Sequence, residues 1–348
     1  MINIKKLYFF PIFMLFFSCM EPNDEGLWSI ENFKYYDTKG FCRDVSVDGE
    51  LAYVAAGQNG LQIWDLEKDS LLNEFLGYDF EGIRYVQFSQ ISNIKIDSLN
   101  DLIFINEPNK DVMIFNLNEA GILVHQGNEM SAGTKDFLVM PHVDNMFTIY
   151  AADNDDGLKW NTFGPQESIG NLITWPFADG GEIYSDGKPL GIDINEQGLL
   201  GIAVDQLGVE FFQIEYDSSF QNFSGSPTFI SKFDLPGNAE QIYINEIGAY
   251  VSCDDFGAYF LSLESIRTGE GLAVSFAEDL TVDHISVKGN VAVLSLGSRG
   301  LALYDISDPF SPISKGIFNV GYVYKTYFWG DHILICTRSG LQVSKIKY

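Results

Sequence analysis

Residues 284–318 read HISVKGNVAVLSLGSRGLALYDISDPFSPISKGIF, and this stretch decides the fold. Three polar dividers split it: Lys288-Gly289-Asn290, Gly297-Ser298-Arg299-Gly300 and Ser307-Asp308-Pro309. All three carry turn chemistry, and the four runs between them are rich in β-branched and apolar residues. Four strands joined by tight turns make one antiparallel unit. The central run Val291–Leu294 is continuously apolar, as expected of a strand covered on both faces. No sustained run of apolar residues at helical spacing competes with this reading.

The unit recurs. A hydrophobic strand, a polar turn and a second hydrophobic strand repeat seven times, with the turns closing at Gly60, Asp111, Gly157, Gly208, Gly257, Gly300 and Gly340. The intervals are 51, 46, 51, 49, 43 and 40 residues. A period of this length built only from strands is the signature of a β-propeller with one blade per repeat. The expected fold is therefore all-β, a seven-bladed propeller of four-stranded blades, with strand A innermost and strand D outermost. The last unit ends after three strands: A at Tyr324–Trp329, B at His332–Cys336 and C at Leu341–Ile346. The unassigned segment Leu27–Tyr36 then supplies the missing outer strand, because strand C would otherwise be an unpaired edge.

The wording of the units resembles a known repeat. Gly60–Asp65 (GLQIWD) and Gly300–Pro309 (GLALYDISDP), with an AYVA run at Ala52–Ala55, look like the LVIVD repeat of bacterial and archaeal surface proteins. Asn116 and Asn161 stand where the motif has aspartate, so units two, three and four depart from it. The resemblance implies a propeller at a cell surface and little chemistry. Trp64-Asp65 occurs without any Gly-His element opening the units, so a WD-repeat reading is set aside.

Residues 1–18 read as a secretory signal: Lys5 and Lys6, then the apolar Leu7–Phe17, then Ser18 before Cys19. Eleven apolar residues fall short of the roughly 20 that span a bilayer. Ser18-Cys19 resembles the bacterial lipobox, which implies lipid attachment at Cys19, although Phe16 stands where that motif usually has leucine. Met20 in place of aspartate implies sorting to the outer membrane, periplasmic or surface-exposed. The residues Glu21, Asp24 and Glu25 are similar to acidic export tags. Residues 19–26 then form a linker, in which Met20–Gly26 reaches about 25 Å at most, and residues 27–348 form the propeller domain.

Composition narrows the partners. The formal charge is −27, from 48 acidic and 21 basic residues, and becomes about −29 once the signal with its two lysines is removed. Such a field repels nucleic acid and anionic headgroups, leaving proteins or extracellular ligands as partners and the lipid anchor as the contact with the membrane. The 28 phenylalanines and 17 tyrosines suit blades packed face to face. Cys42, in a strand A, and Cys253 and Cys336, in strands B, are expected as buried, unpaired thiols.

No catalytic constellation is legible. His125, His142, His284 and His332 show neither metal spacing nor a linked nucleophile. Asp283 and His284 are neighbours in a strand and point to opposite faces. The run Asp153-Asn154-Asp155-Asp156-Gly157 fails as an EF-hand, since its first and twelfth positions fall on Ala152 and Phe163. The turns between strands B and C nevertheless carry a pattern around the expected channel mouth. Asp153, Asp155, Asp156, Asp205, Asp254 and Asp255 form an acidic arc, faced by Lys110, Arg299 and Arg338. A connection at Ala178–Leu190, hinged at Gly180 and Gly181, adds Asp179, Glu182 and Asp186. Turn chemistry alone also selects Asp, Asn and Gly, so two readings stand: ordinary turns, or a mouth suited to a cation such as calcium, a zwitterion or a peptide. The expected function is a non-catalytic binding or assembly module without an obligatory cofactor. The alternative is a propeller enzyme, lactonase-like or quinone-dependent dehydrogenase-like, with its site at the channel mouth.

Overall fold

The computed structural model describes residues 26–80, 83–169 and 172–348. Seven four-stranded antiparallel sheets stand around a common axis as the blades of a propeller. The inner strands A are Asp44–Asp48, Asn93–Asp97, Thr134–His142, Pro189–Ile194, Gln241–Ile244, His284–Lys288 and Val323–Trp329. Each touches strand A of the next blade, and the seventh touches the first, so the ring is closed.

Closure depends on the N-terminal strand. Ser29–Tyr36 pairs antiparallel with Gly340–Lys347, from Ser29 opposite Lys347 to Tyr36 opposite Leu341, and completes blade seven. Its start lies at the end of the ring formed by the A–B turns. Trp28 packs edge-on against Tyr348 and lines a cavity of about 690 Å³ with Gly289 and Asn290 of blade six and Gly330 and Asp331 of blade seven. The B–C turns, with the channel mouth, occupy the opposite end.

The repeat-closing glycines have a definite physical reason. Gly60 and Gly300 adopt φ of +73° and +86°, and a Cβ there would lie 2.0 and 2.1 Å from the carbonyl oxygens of Phe75 and Phe318 at the ends of strands D. Only glycine tolerates both the conformation and the approach. Four of the same turns fasten one blade to the next: the carbonyls of Gly57, Asp205, Asp254 and Gly297 accept from the amides of Ile91, Ala239, Val282 and Val323 at 2.8–3.1 Å.

The core lies between blades. Tyr250, Ala258 and Phe260 of blade five pack with Ile285, Val287, Leu294 and Ala302 of blade six, and equivalent clusters fill the other interfaces. Each fully buried large side chain of this kind contributes about 1.5–3 kcal/mol, spread around the ring rather than gathered in one centre.

The structure adds elements and corrects two expectations. A hairpin, Gly77–Phe80 with Arg84–Gln87, lies beside the outer strand of blade two and extends that sheet to six strands. Residues 178–183 are not a loop. Phe177–Ile183 is strand D of blade three, with Asn161 opposite Gly180 and Trp160 opposite Gly181. These glycines are not a hinge: a Cβ on Gly181 would lie 2.5 Å from the Trp160 ring, so they make room for packing. Asp179 and Glu182 therefore sit on an outer strand away from the mouth. Cys42 precedes strand A of blade one and Cys253 follows strand B of blade five, rather than lying within them. Both are buried and free, as is Cys336. No described helix is long and apolar enough to cross a membrane, and Cys19 lies outside the described residues.

Candidate functional site at the channel and its mouth

Strand register puts one residue of each blade at the same depth in the channel. Asp44, Asn93, Asp136, Gly191, Gln241, His284 and Lys325 pair with Ala55, Asn106, Ala152, Ala203, Ser252, Ser295 and Cys336, the equivalent positions near the ends of strands B. Two residues further along come Ser46, Lys95, Leu138, Asp193, Tyr243, Ser286 and Tyr327. The apolar residues between, such as Val45, Ile94, Ile242 and Ile285, are buried against neighbouring strands. This is the period-two alternation of a strand with one polar face.

The upper ring is wired across blades. Lys325 Nζ lies 3.3 Å from Asp44 Oδ2 and donates to Asn93 Oδ1 at 2.9 Å, while Asn93 donates to the Lys135 carbonyl at 2.6 Å. The Tyr327 hydroxyl donates to Asp44 Oδ1. Opposite, Gln241 donates to Asp136 Oδ2 at 3.2 Å, passing Gly191, where a Cβ would meet the Gln241 carboxamide carbon at 2.9 Å. Burial opposes ionisation of Asp44, but Lys325, Lys95 and the Tyr327 hydroxyl outweigh it and hold the carboxyl below its usual range. Asp193 and His284 answer to burial. Asp193 is pushed up to about 7 by desolvation, despite amide donation from Ile244 at 2.7 Å. His284 is pushed down to about 3 by burial and by the charge of Lys325, so it is neutral. Lys95, Asp136, Asp193, Gln241, His284 and Lys325 line a chamber of about 440 Å³.

The mouth divides into two halves. On the acidic side, Glu240 and Asp283 follow the stapled residues Ala239 and Val282 and stand with Asp205 and Asp254. Burial, then the neighbouring charges of Asp254, Asp205 and Asp283, push Glu240 up to about 7, and Asp283 rises to about 6 for the same kinds of reason. Asp254 is raised by burial and by Asp255. On the other side, Phe41, Arg43, Tyr322, Tyr324 and Arg338 stack. The Arg43 guanidinium lies 4.2 Å from the Tyr324 ring centroid and Arg338 lies 4.1 Å from that of Tyr322.

The acidic arc expected from the turns is thus partly dispersed. Asp153 is buried inside its own turn, accepting from the amides of Asp155 and Asp156 at 3.0 and 3.2 Å and from the hydroxyls of Ser131 and Thr134. Asp156 pairs with Lys159 at 3.2 Å and Lys110 with Glu107. Asp155 accepts from the Asn154 carboxamide, Asp255 accepts from the Thr281 hydroxyl at 2.6 Å, and Arg299 donates to the Asp279 carbonyl at 3.1 Å toward the rim. Asp205 and Asp254 have φ of +36° and +47°, at positions held by Gly57 and Gly297 in blades one and six. Aspartate tolerates that conformation, so the turn itself accounts for these two. Asp186 lies in the short connection after strand D of blade three. Among the described residues no group of three or more His, Cys, Asp or Glu is arranged to hold a metal ion.

Glu240, Arg43 and the channel rings were not singled out from the sequence, and Asp283 and His284 were read only as a pair of neighbours. Superposing the seven strands A, rather than the seven B–C turns, shows Asp44, Asn93, Asp136, Gln241, His284 and Lys325 in one column, and that column is the signal.

A family model for the LVIVD repeat matches residues 39–79 and 281–320, which are blades one and six. The chain carries LVIVD repeats. The two matched LVIVD units have the glycine-closed turns at Gly60 and Gly300, and the blades between keep the architecture with different wording. No curated protein matches the chain. Among solved structures it is similar to U3-55K, with a TM-score of 0.62 at 12% identity, covering 91% of this chain and 98% of that one. It is also similar to the computationally designed Ika8 protein, with a TM-score of 0.56 at 10% identity, covering 90% and 98%. At such identities the likeness speaks for the fold alone, and a propeller repeat protein fits a binding or assembly module.

Proposed function

We propose that this LVIVD propeller is a non-catalytic binding module, tethered to the bacterial outer membrane through a lipid on Cys19, that presents its channel mouth to a protein or extracellular ligand. The observation that carries the reading is the placement of the two ends of the ring. The first described strand starts at the A–B-turn end, beside Trp28 and Tyr348, whereas the two-signed mouth lies at the other end. A short tether from Cys19 would hold the first end against the bilayer and turn the mouth away from it. The mouth offers breadth rather than a reacting centre. Exposed aromatic surface and arginines occupy one side and partly protonated carboxylates the other, a combination suited to a dipolar partner. Deep in the channel Lys325 and Asp44 are spent on each other.

The test has two parts. Cys19→Ala in the full chain should abolish fatty-acid incorporation and shift the protein out of the membrane fraction. Unchanged membrane recovery without acylation would sink the anchor. In intact cells, a protease or a membrane-impermeant label should reach the mouth loops before the Gly289 and Gly330 turns; the reverse order would refute the orientation.

The enzyme reading, lactonase-like or quinone-dependent, has one observation in its favour: Asp193 beside the chamber is raised toward neutrality, as a general acid requires. Loss of a measured turnover in Asp193→Asn would establish it.

A further inference from the structure

The aromatic side of the mouth is built as a receptor for one kind of group. Tyr322, Arg338, Phe41, Arg43 and Tyr324 form a continuous stack from blade seven to blade one. Arg338 lies 4.1 Å from the Tyr322 centroid and 5.5 Å from that of Phe41; Arg43 lies 5.4 Å from Phe41 and 4.2 Å from Tyr324. The tyrosine rings are themselves 4.8 Å apart. Acidic residues outnumber basic ones by 48 to 21 in this chain, yet among the described residues neither arginine has a carboxylate within ion-pair distance. Arg338 Nε reaches only the Tyr324 hydroxyl, at 3.4 Å, and Arg43 Nε is buried without a partner. A guanidinium stacked on a ring leaves its in-plane N–H donors available, and their fork matches a planar oxyanion. Beside the stack lies a cavity of about 310 Å³ lined by Lys39, Phe41, Arg43, Gln58, Asn59 and Gln90. It therefore offers two cations, three carboxamides and an aromatic wall, and no lining carboxylate.

We infer that the Arg43–Arg338 stack and its cavity form a binding site for a carboxylate carried on an apolar or aromatic body. The inference rests on the mouth being the binding face, and names what that face recognises. The guanidinium edges take the carboxylate. The rings of Phe41, Tyr322 and Tyr324 take the attached body. The cavity admits a small carboxylic acid or the acidic side chain or terminus of a peptide. Phosphate would satisfy the guanidinium but leave the aromatic wall unused.

Calorimetric titration of the full chain in detergent at low salt, with benzoate, acetate, benzamide and inorganic phosphate as probes, tests this. Benzoate should bind more tightly than acetate or phosphate, benzamide should give no heat, and raised salt should weaken benzoate binding. Arg338→Gln, at an exposed position, should weaken benzoate about tenfold or more, the loss expected for a charge-assisted hydrogen-bond pair. Arg43→Lys should weaken it as well, because lysine lacks the fork. Arg267→Gln, on the short helix Leu263–Thr268 between strands C and D of blade five and away from the mouth, should leave it unchanged. No benzoate binding at millimolar concentration, or equal losses in Arg338→Gln and Arg267→Gln, would overturn the site. Phosphate binding as tight as benzoate would overturn the ligand class. None of these outcomes depends on acylation or membrane recovery, so failure here is distinguishable from failure of the anchored-module reading.

Discussion

Replacing Lys325 by methionine should expose how the channel is held together. Asp44 is 0% exposed, and its carboxylate is compensated by Lys325 at 3.3 Å, the Tyr327 hydroxyl and the amides of Val45 and Ile94 at 2.9 and 3.1 Å. Lys325 also offsets the charge of Asp136. Removing the ammonium leaves a buried carboxylate with neutral hydrogen-bond donors and only the unbonded charge of Lys95 nearby, which costs about 3–5 kcal/mol. For a domain of this size that corresponds to a fall in melting temperature of about 6–10 °C. The double variant Asp44→Asn/Lys325→Met carries no such charge and should recover more than half of the loss, since the pair stabilises mainly by avoiding an unpaired ion. The sign of the pH dependence follows. Asp44 is held below its unfolded range, so its contribution is present above about pH 3.9 and lost as pH falls through the folded value. In Lys325→Met the unpaired carboxyl is relieved by protonation, so its deficit against wild type should be greatest near pH 7–8 and shrink toward pH 4. Circular-dichroism melts and urea titrations of wild type, Lys325→Met, Asp44→Asn and the double variant measure this. A single variant within a degree of wild type, or a double variant as unstable as the sum of its parts, would refute the argument.

Deleting Leu27–Tyr36 should strip blade seven of its outer strand and markedly lower the unfolding midpoint; an unchanged melt would mean the strand contributes nothing to closure. Gly300→Ala should cost at least about 2 kcal/mol, because φ is +86° and the Phe318 carbonyl blocks the Cβ, whereas Gly289→Ala, with open space around it, should cost about 1 kcal/mol by chemical denaturation. Cys42, Cys253 and Cys336 should all react with a thiol reagent in urea without reduction and only slowly in the native protein, where burial pushes Cys253 up to about 12. Glu240, raised above its unfolded value, favours the fold in its protonated form, so stability should decline as pH rises from about 4.5 through 7. Glu240→Gln should flatten that decline in melts at pH 5.5 and 8.

The blade number, the turn positions and the closing strand were legible in the sequence because each rests on local chemistry. A glycine with positive φ beneath a strand D carbonyl is required wherever the unit recurs, so Gly60, Gly208, Gly257 and Gly300 mark the period without reference to the rest of the chain. The missing fourth strand of the last unit likewise follows from the intolerance of sheets for open edges. Reading the turns for a site was less informative, because the local constraint that makes them readable also explains their residues: Asp205 and Asp254 stand where other blades have glycine, and Asp153 organises its own loop. Strand D of blade three was hidden for the opposite reason. Gly180 and Gly181 look like loop residues until Trp160 is seen to need their space.

What only the tertiary structure decided is which residues meet across the ring. Lys325 and Asp44 are 281 positions apart, Gln241 and Asp136 are 105 apart, and Arg43 and Arg338 are 295 apart. Nothing local specifies such pairs. They exist because seven register-fixed strands A place one side chain each at a common depth, and because closure brings blade seven beside blade one. The sequence by itself determined a seven-bladed ring through steric and hydrogen-bonding rules that act within some 50 residues. The charges and rings at its centre acquire partners, burial and shifted proton affinities only when that ring closes.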